Sequence, residues 1–234
     1  MQPVLSLVLP TLNESKSLPL LVPRISSALH AIPHEILVVD DDSPDETWKI
    51  GEKLAEKYSL RVIRRQNERG LSSAVVRGIT EASGEFVCVM DSDGSHPPEI
   101  IPQMVQLLEN GKIDACIASR YMQGGEVEDW PFFRKVISIG ATYLARPLTR
   151  VSDPMSGFFC LKRSLIQTEK IHPIGYKILL EILVKNKIQR VGEIPYTFVN
   201  RKVGRSNLSW KQYREYVQHV MELYLWQLTQ GHHS

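Results

Sequence analysis

Short apolar runs rich in β-branched residues alternate with longer stretches of helical periodicity along the first half of this 234-residue chain. The runs predict five strands: Val4–Leu9, Glu35–Val39, Leu60–Arg64, Glu85–Met90 and Ile113–Ala118. The stretches between them predict four helices: Ser17–His30, Asp45–Tyr58, Leu71–Ala82 and Pro98–Asn110. Strands that alternate with helices form parallel sheets, and continuous apolar runs indicate burial on both faces. We therefore expect an α/β fold with a Rossmann-like, mainly parallel sheet flanked by helices.

The second half of the chain is built differently. The alternation ends after about Tyr121, and a loop with Gly124 and Gly125 precedes a helix-like stretch, Phe132–Leu148. Aromatic and aliphatic residues then recur at helical spacing over Ser209–Gln230. Because no Pro/Gly/Ser-rich linker interrupts the chain, we predict one domain over residues 1–208 and a C-terminal amphipathic helix within residues 209–234.

Composition excludes several classes of protein. With 43% hydrophobic and 23% charged residues, the chain is typical of a globular protein, and a net charge of +2 is too small for nucleic-acid binding by bulk charge. Cys88, Cys116 and Cys160 form no CxxC pair and lie in apolar runs, which predicts buried, reduced thiols. We expect no signal peptide, since Pro10 interrupts the first apolar run, and no bilayer-spanning segment, since no 18 apolar residues run together.

Polar residues follow three of the predicted strands, where ligands of open α/β sheets bind. They are Pro10–Glu14 after the first strand, Asp40–Asp45 after the second and Asp91–Asp93 after the fourth. Neighbouring carboxylates repel one another unless a cation, ribose hydroxyls or base N–H groups occupy their oxygens. Asp45 by itself also suits the N-cap of the next helix. The acids after the second strand are therefore candidates for binding a ribose or a base.

Asp91 and Asp93 are the candidate metal ligands. The chain has neither a GxGxxG nor a GxxxxGK[ST] glycine loop, so a diphosphate would need another source of positive charge. Residues two apart after a strand project to the same side, and carboxylate oxygens are the ligands that Mg²⁺ or Mn²⁺ prefers. A DxD pair alone is a weak signal, and its position directly after an apolar strand strengthens it.

Four arginines are candidate phosphate ligands: Arg120, Arg134, Arg201 and Arg205. A single arginine is more often part of a surface ion pair. Several on loops that face one acidic edge instead favour bidentate phosphate binding, because the planar guanidinium matches that geometry.

Seven segments together resemble the glycosyltransferase family 2 enzymes of GT-A fold, and among them the dolichyl-phosphate (polyprenyl-phosphate) mannosyltransferases. The matching segments are Val8–Glu14, Ile36–Trp48, Arg69–Gly78, Asp91–Glu99, Ala118–Gly125, Ser152–Phe159 and Arg201–Leu208. The combination of DDDSPD with a later SDPMSGFF is far more specific than a DxD pair. The resemblance covers essentially the whole chain.

The resemblance implies transfer of mannose from GDP-mannose to the phosphate of a polyprenol, with inversion, on the cytosolic side of a membrane. The positions that match guanosine-binding residues are Pro10, Leu12, Glu14, Val39 and Asp41. Those that match the metal and sugar-diphosphate motif are Asp91, Ser92, Asp93 and Ser95, with Arg201 and Asn207 as donor-binding positions on the C-terminal loop. Arg120, Arg134 and Ser138 match acceptor-phosphate positions, and Arg120 also lies near the transferred sugar. Asp153 is a further candidate, for sugar orientation or base chemistry, and its alternative is a Ser-Asp-Pro turn.

Three departures from the family pattern keep alternatives open. Ser95 replaces a glutamine ligand, Leu12 replaces an aromatic residue, and Asn207 replaces a lysine. One alternative is a polyprenyl-phosphate glucosyltransferase or another family 2 enzyme that uses a UDP-sugar. The other is a catalytically poor subunit that binds a nucleotide sugar within a membrane complex.

A polyprenol is reached only at a membrane, so we expect a peripheral protein. The stretch from Phe132 to Arg150 and the C-terminal helix combine aromatic, aliphatic and cationic residues, as interfacial helices do. Packing of both segments on the domain core is the alternative. We predict attachment at the cytoplasmic membrane surface, with a small membrane subunit as an optional partner.

Overall fold

The computed structural model describes residues 2–127, 140–173, 178–198 and 210–230. The strands are β1 (Leu5–Thr11), β2 (His34–Asp40), β3 (Leu60–Arg64), β4 (Phe86–Val89), β5 (Ala115–Ser119), β6 (Glu126–Val127), β7 (Phe159–Lys162), β8 (Val191–Pro195) and β9 (Thr197–Phe198). The helices are α1 (Leu18–Ala28), α2 (Thr47–Ala55), α3 (Leu71–Glu81), α4 (Ile101–Glu109), α5 (residues 140–145), α6 (Ile178–Lys185) and α7 (Trp210–Gln230).

Seven strands form one sheet in the order β3-β2-β1-β4-β7-β5-β8. All neighbouring pairs are parallel except those of β7, which runs antiparallel to both β4 and β5. The expected α/β class and the mainly parallel sheet are thereby confirmed. A parallel arrangement also places the ends of β1, β2 and β4 along a single edge, where the polar segments predicted to bind ligands lie.

Successive residues of each central strand enter opposite core layers. In β2, Ile36 and Val38 pack with α1 and α4, while Leu37 and Val39 pack with α3 and α6. β1, β4 and β5 follow the same alternation. Burial on both faces explains why these strands read as continuous apolar runs. The three cysteines lie side by side in this core, since Cys88 and Cys116 are both register partners of Cys160, and all are buried and free as expected.

The second half supplies the elements that strand and helix periodicity did not predict. β7 enters the sheet between β4 and β5, and β8 adds an outer strand parallel to β5. β6 and β9 pair separately as a two-stranded sheet. The insertion of β7 brings the segment Ser152–Phe158 to the same edge of the sheet as Asp91, because β7 begins where β4 ends.

A third apolar cluster joins α5, α6 and α7. It contains Ala145, Leu180, Tyr216, Val220 and Leu223. Hydrogen bonds from the Tyr216 and Tyr224 hydroxyls to backbone oxygens in α5, both 2.8 Å, fix α7 against it. Among the described helices, none is both long and apolar enough to cross a bilayer. The predicted helix over Phe132–Leu148 lies partly outside the described residues, and within them its helical part is 140–145.

Candidate active site

The carboxyl ends of β1, β2 and β4 are joined by side-chain hydrogen bonds. Thr11, the last residue of β1, is the register partner of Asp40 and donates to its Oδ2 at 2.9 Å. The Ser92 hydroxyl donates to the Pro10 carbonyl at 2.8 Å. Pro10 and Ser92 are both predicted donor-binding residues, and this bond holds the first and third polar segments together.

The aspartates after β2 are surrounded by donors from the protein itself. The Asp40 carboxylate accepts from the Ser43 N–H and hydroxyl at 2.8 and 2.7 Å. The Asp41 carboxylate accepts from Arg65 Nε at 2.7 Å and from the Gly70 N–H at 2.7 Å, and Arg65 Nη2 adds a further bond. Asp42 pairs with Arg64. The repulsion expected between these neighbouring carboxylates is therefore relieved by two arginines at the end of β3.

Asp45 differs from its predicted role as an N-cap. Helix α2 begins at Thr47 and Glu46 is the residue before it, with φ of 59°. The Asp45 carboxylate nevertheless accepts from the Thr47 N–H at 3.1 Å and from the Ser15 N–H at 3.0 Å. Burial alone would raise the pKa of Asp45, but the hydrogen bonds from Thr47 and Ser15 lower it below its usual value. Asp45 thus connects the first and second polar segments while capping the helix from one residue further out.

The two carboxylates after β4 differ in exposure. The Asp91 side chain is 31% exposed and Asp93 is buried, and among the described residues the ion-pair distance of Asp91 is that to His96 Nε2, 3.9 Å. Asp93 Oδ1 accepts from the Ser95 N–H at 2.9 Å and from the Ser95 hydroxyl at 2.5 Å. The predicted metal ligands Asp91, Asp93 and Ser95 therefore lie within one short turn, with the Ser95 hydroxyl directed at Asp93.

Gly157 leaves room for the Asp91 carboxylate. A Cβ atom at this position would lie 3.1 Å from both Asp91 Oδ1 and Oδ2. Gly157 belongs to the segment Ser152–Phe159, which β7 brings to this edge. Any larger residue here would require the Asp91 carboxylate to shift by a few tenths of an ångström, a constraint that sequence reasoning did not identify.

Arg120 and Asp153 form a buried, bidentate ion pair. Arg120 Nε donates to Asp153 Oδ2 at 2.7 Å and Nη2 donates to Oδ1 at 2.8 Å, while the Arg120 backbone N–H also donates to Oδ2. Burial alone would lower the pKa of Arg120, but the Asp153 carboxylate raises it well above its ordinary value. Both residues were predicted separately, and their pairing assigns the two Asp153 oxygens to holding Arg120.

Hydrogen bonds also fix the loop that carries Asp153. The Ser152 N–H donates to both Glu193 carboxylate oxygens at 3.0 Å. The Ser156 hydroxyl donates to the Ala118 carbonyl at 2.8 Å and accepts from the Phe158 N–H at 3.1 Å. The loop is thus bonded to β5 and β8 on both sides of Asp153, so Arg120 is held by a rigid partner.

The remaining predicted donor-binding residues differ in what their side chains can reach. Leu12 is 49% exposed at the end of β1. Val39 is buried and packs with α3, so only its backbone can face a ligand. Glu14 accepts a hydrogen bond from the Ser17 hydroxyl at 2.7 Å. The other predicted residues lie outside the described residues: Arg134, Ser138, Arg201 and Asn207.

A family model described as glycosyl transferase family 2 matches residues 6–168, which include every strand end discussed above. The chain belongs to glycosyl transferase family 2. The family expected from the seven segments is confirmed, and with it the expectation of a glycosyltransferase.

Three relatives are named dolichol-phosphate mannosyltransferase. The chain is 48% identical to the protein from Pyrococcus furiosus over 95% of its own length, and it spans 64% of that relative. It is 41% identical to the protein from Mycosarcoma maydis over 95% of its length, covering 79% of that protein. It is 39% identical to the protein from Saccharomyces cerevisiae over 94% of its length, covering 86% of that protein.

Solved structures support the fold. A mycobacterial protein superposes with a TM-score of 0.72 at 19% identity, over 96% of this chain and 74% of that one. Glucosyl-3-phosphoglycerate synthase from Mycobacterium tuberculosis, in complex with Mn²⁺ and UDP-glucose, superposes with a TM-score of 0.68 at 20% identity, over 96% and 79%. At this level of identity, the likeness concerns the arrangement of the chain alone.

The donor chemistry of Asp91 and Asp93 fits a hard divalent cation. Both offer carboxylate oxygens, and Gly157 keeps the space beside Asp91 open. Within the described ranges, no three acidic, histidine or cysteine side chains converge to enclose a metal ion. Mg²⁺ that binds nucleotides commonly takes one or two carboxylates and keeps its other coordination positions for water and phosphate oxygens.

Proposed function

We propose that this chain transfers a mannosyl residue from GDP-mannose to the phosphate of a polyprenol such as dolichol, with inversion at the sugar C1. The observation that carries the proposal is the shared name of three relatives, from an archaeon and two fungi, that are 39–48% identical over 94–95% of this chain. The carboxylates after β4 and the rigid Arg120 suit a reaction between two phosphate-bearing substrates.

Donor binding is assigned to the first two polar segments and the DSD turn. Pro10, Leu12, Glu14, Val39 and Asp41 hold the guanosine, with Arg201 and Asn207 contributing from the C-terminal loop. Asp91, Ser92 and Asp93 bind the sugar diphosphate end. The bond between Ser92 and Pro10 fixes the distance between the two parts of this site.

A divalent ion, Mg²⁺ or Mn²⁺, is held by Asp91 and Asp93, with Ser95 beside them. When bound, it supplies Lewis-acid stabilisation of the departing diphosphate. The Ser95 hydroxyl donates its hydrogen to Asp93 at 2.5 Å, which orients that carboxylate. The lone pairs of the Ser95 oxygen stay available to the ion.

The acceptor is a phosphate monoester, which is already anionic at pH 7 and needs no strong general base. Arg120, with Arg134 and Ser138, aligns this phosphate for attack on C1, which is a positioning effect. Asp153 does not serve as the base in this scheme. Its two oxygens are bonded to Arg120, and its role is to fix the guanidinium.

The C-terminal helix is assigned to a membrane surface. Val217, Met221, Leu225 and Leu228 are exposed and recur every three or four residues, so they form one apolar stripe on α7. The opposite side of the helix is packed against α5 and α6. A peripheral position on the cytoplasmic side, directly or through a small membrane subunit, would bring a polyprenyl phosphate to Arg120.

Transfer of labelled mannose tests the proposal. Purified protein is given GDP-mannose or UDP-glucose, a polyprenyl phosphate in detergent, and Mg²⁺, Mn²⁺ or a chelator. We expect a metal-dependent mannosyl lipid whose anomeric configuration, measured by NMR, is inverted relative to the donor. Labelling from UDP-glucose alone would reassign the donor, and donor binding without any lipid product would favour a non-catalytic subunit.

A further inference from the structure

His96 is a buried imidazole beside the DSD turn that no part of the predicted site included. It is 2% exposed and follows Asp93 by three residues, at the point where the chain turns towards α4. Histidine is only intermediate in its tendency to be buried, because its ring nitrogens need polar partners. The contacts of His96 therefore indicate what the ring does.

Both ring nitrogens of His96 face the same residue. Nδ1 accepts a hydrogen bond from the Asp91 backbone N–H at 3.2 Å. Because Nδ1 acts as an acceptor, the proton of the neutral ring is on Nε2. Nε2 lies 3.9 Å from Asp91 Oδ2, which is beyond hydrogen-bond distance. The imidazole is thus bonded to the backbone of Asp91 and lies beside its carboxylate.

Three aromatic residues fix the orientation of the imidazole. The Phe158 ring is stacked on it at 5.1 Å between centroids and 16° between planes. Tyr196 and Phe198 meet it edge-on, at 5.5 and 5.9 Å. Stacked and edge-on contacts of this kind restrict rotation of a ring in a packed core. His96 therefore presents its nitrogens to Asp91 in one arrangement.

Gly157, the neighbour of Phe158, lies against the Asp91 carboxylate and restricts its position. Its missing side chain leaves the space in which both Asp91 carboxylate oxygens lie, 3.1 Å from where a Cβ would be. The residue that stacks on His96 and the residue that makes room for Asp91 are thus consecutive in the chain. The aromatic cluster and the carboxylate are parts of one arrangement.

From these contacts we propose that His96 is a positioning residue that orients Asp91 for a divalent cation. The inference rests on the proposed function, because it takes Asp91 as a metal ligand. Carboxylates that bind metals are themselves held by hydrogen bonds, and loss of such a partner commonly weakens metal binding about 10- to 100-fold. His96 supplies the hydrogen bond that fixes the Asp91 backbone, and its ring lies beside the carboxylate, with Nε2 3.9 Å from Oδ2.

Two variants of His96 separate positioning from packing. His96→Phe keeps an aromatic ring of similar size against Phe158 but removes both nitrogens. His96→Asn places a side-chain oxygen near the former Nδ1, so the Asp91 N–H retains an acceptor although the aromatic stack is lost. Tyr196→Phe is the matched control, because it alters the same aromatic cluster and leaves the imidazole in place.

The measurement is the dissociation constant of Mn²⁺, followed by electron paramagnetic resonance of the free ion, with GDP present and no acceptor. Thermal unfolding of each variant is recorded without metal. We expect His96→Phe to bind Mn²⁺ at least about tenfold more weakly. His96→Asn, which keeps only the acceptor for the Asp91 N–H, should be weakened less than His96→Phe, and Tyr196→Phe should bind Mn²⁺ as the unaltered protein does.

The outcomes distinguish this inference from the proposed function. Unchanged Mn²⁺ affinity in His96→Phe overturns the positioning role and leaves the metal site standing. Weakening in Tyr196→Phe equal to that in His96→Phe also overturns it, since a disturbed aromatic cluster would then explain both. Absence of Mn²⁺ binding by the unaltered protein overturns the metal site itself, and with it this inference.

Discussion

The acidic turns after β2 and β4 have similar sequences and different environments. After β2, Asp40, Asp41 and Asp42 each bind side chains or backbone N–H groups of the protein. After β4, Asp91 is partly exposed and has no charged partner closer than 3.9 Å among the described residues. The two turns therefore differ in their cationic partners: Asp41 and Asp42 are paired with arginines, whereas among the described residues Asp91 has only His96 at 3.9 Å.

The neighbouring strands account for this difference. β2 is followed in the sheet by β3, whose end carries Arg64 and Arg65, and both arginines reach the acids beside them. β4 lies between β1 and β7, which contribute Ser92's partner Pro10 and the small residue Gly157 instead of cations. Strand order, more than local sequence, decides which carboxylates remain available.

The largest expected effect is on activity, and it should differ between the two turns when one carboxylate is removed from each. Asp93→Ala should reduce metal-dependent transfer by about a thousandfold, because it removes a ligand that stabilises charge in the transition state. Asp42→Ala removes a partly exposed ion pair with Arg64 and should change the rate by less than about threefold. Initial rates at saturating donor and metal provide the comparison.

Full activity of Asp93→Ala would contradict the metal assignment. Circular dichroism and thermal unfolding serve as the control for folding, since Asp93 also accepts hydrogen bonds from Ser95. A large loss of activity in Asp42→Ala would mean that the Asp42 carboxylate, and not only Asp41, takes part in donor binding.

The free energy of unfolding should depend on the turn after β2 more than on the turn after β4, the reverse of the effect on activity. Asp41→Asn removes the buried charged partner of Arg65, whose guanidinium keeps only the exposed Glu68 at 3.2 Å, and breaking such a buried pair costs about 3 kcal/mol. Asp91→Asn removes a partly exposed charge next to Asp93 and should change the free energy of unfolding by less than about 0.5 kcal/mol. Urea unfolding at neutral pH measures both values, and equal destabilisation would remove the distinction between the two turns.

The first half of the fold could be predicted because its strands are buried on both faces. Their apolar runs predicted β1 to β5, with ends within a few residues of those observed. β7 and β8 were not predicted, since β7 is a short antiparallel insertion and β8 contains glycine and glutamate within five residues. Neither shows the alternation or length by which strands were recognised.

The individual residues of the candidate site could be predicted from the sequence, but the contacts between them could not. Asp91, Asp93, Arg120 and Asp153 were each identified, yet the pairing of Arg120 with Asp153 depends on how β7 joins β5. Arg65 and His96 were missed because a single buried polar residue leaves no periodic signal. The only sign of His96 was its place in the DSDGSHPPE segment, which indicated a motif and not an orientation.

A smaller effect is expected from adding a methyl group beside the Asp91 carboxylate. Gly157→Ala would place a methyl group 3.1 Å from both Asp91 oxygens, so the carboxylate must shift by a few tenths of an ångström. We expect Mn²⁺ affinity to fall about tenfold, in the range that altered support of a metal ligand produces. Gly140→Ala, where a Cβ meets nothing within 4 Å, is the matched control. Equal affinities in the two variants would show that Asp91 tolerates displacement.

The smallest effect concerns a buried carboxylate in α6, outside both turns. Glu181 in α6 is buried, with Lys185 Nζ at 2.6 Å and His219 Nε2 of α7 at 3.2 Å. The His172 N–H also donates to it at 2.7 Å. Burial alone would raise the pKa of Glu181, but these partners lower it below the ordinary 4.5. Its contribution to stability is therefore present above about pH 4.5 and is lost as the pH falls through the lower folded-state pKa.

Glu181→Gln should accordingly flatten the acid limb of the stability curve. Urea unfolding of both proteins between pH 7 and 3 gives the difference in free energy of unfolding, in which other carboxylates with lowered pKa, such as Glu35 and Asp114, cancel because they are common to both. The difference should be largest at neutral pH and shrink below pH 4.5. If the free energies of unfolding of the two proteins run parallel across this pH range, the partners of Glu181 do not stabilise its ionised form in the folded state.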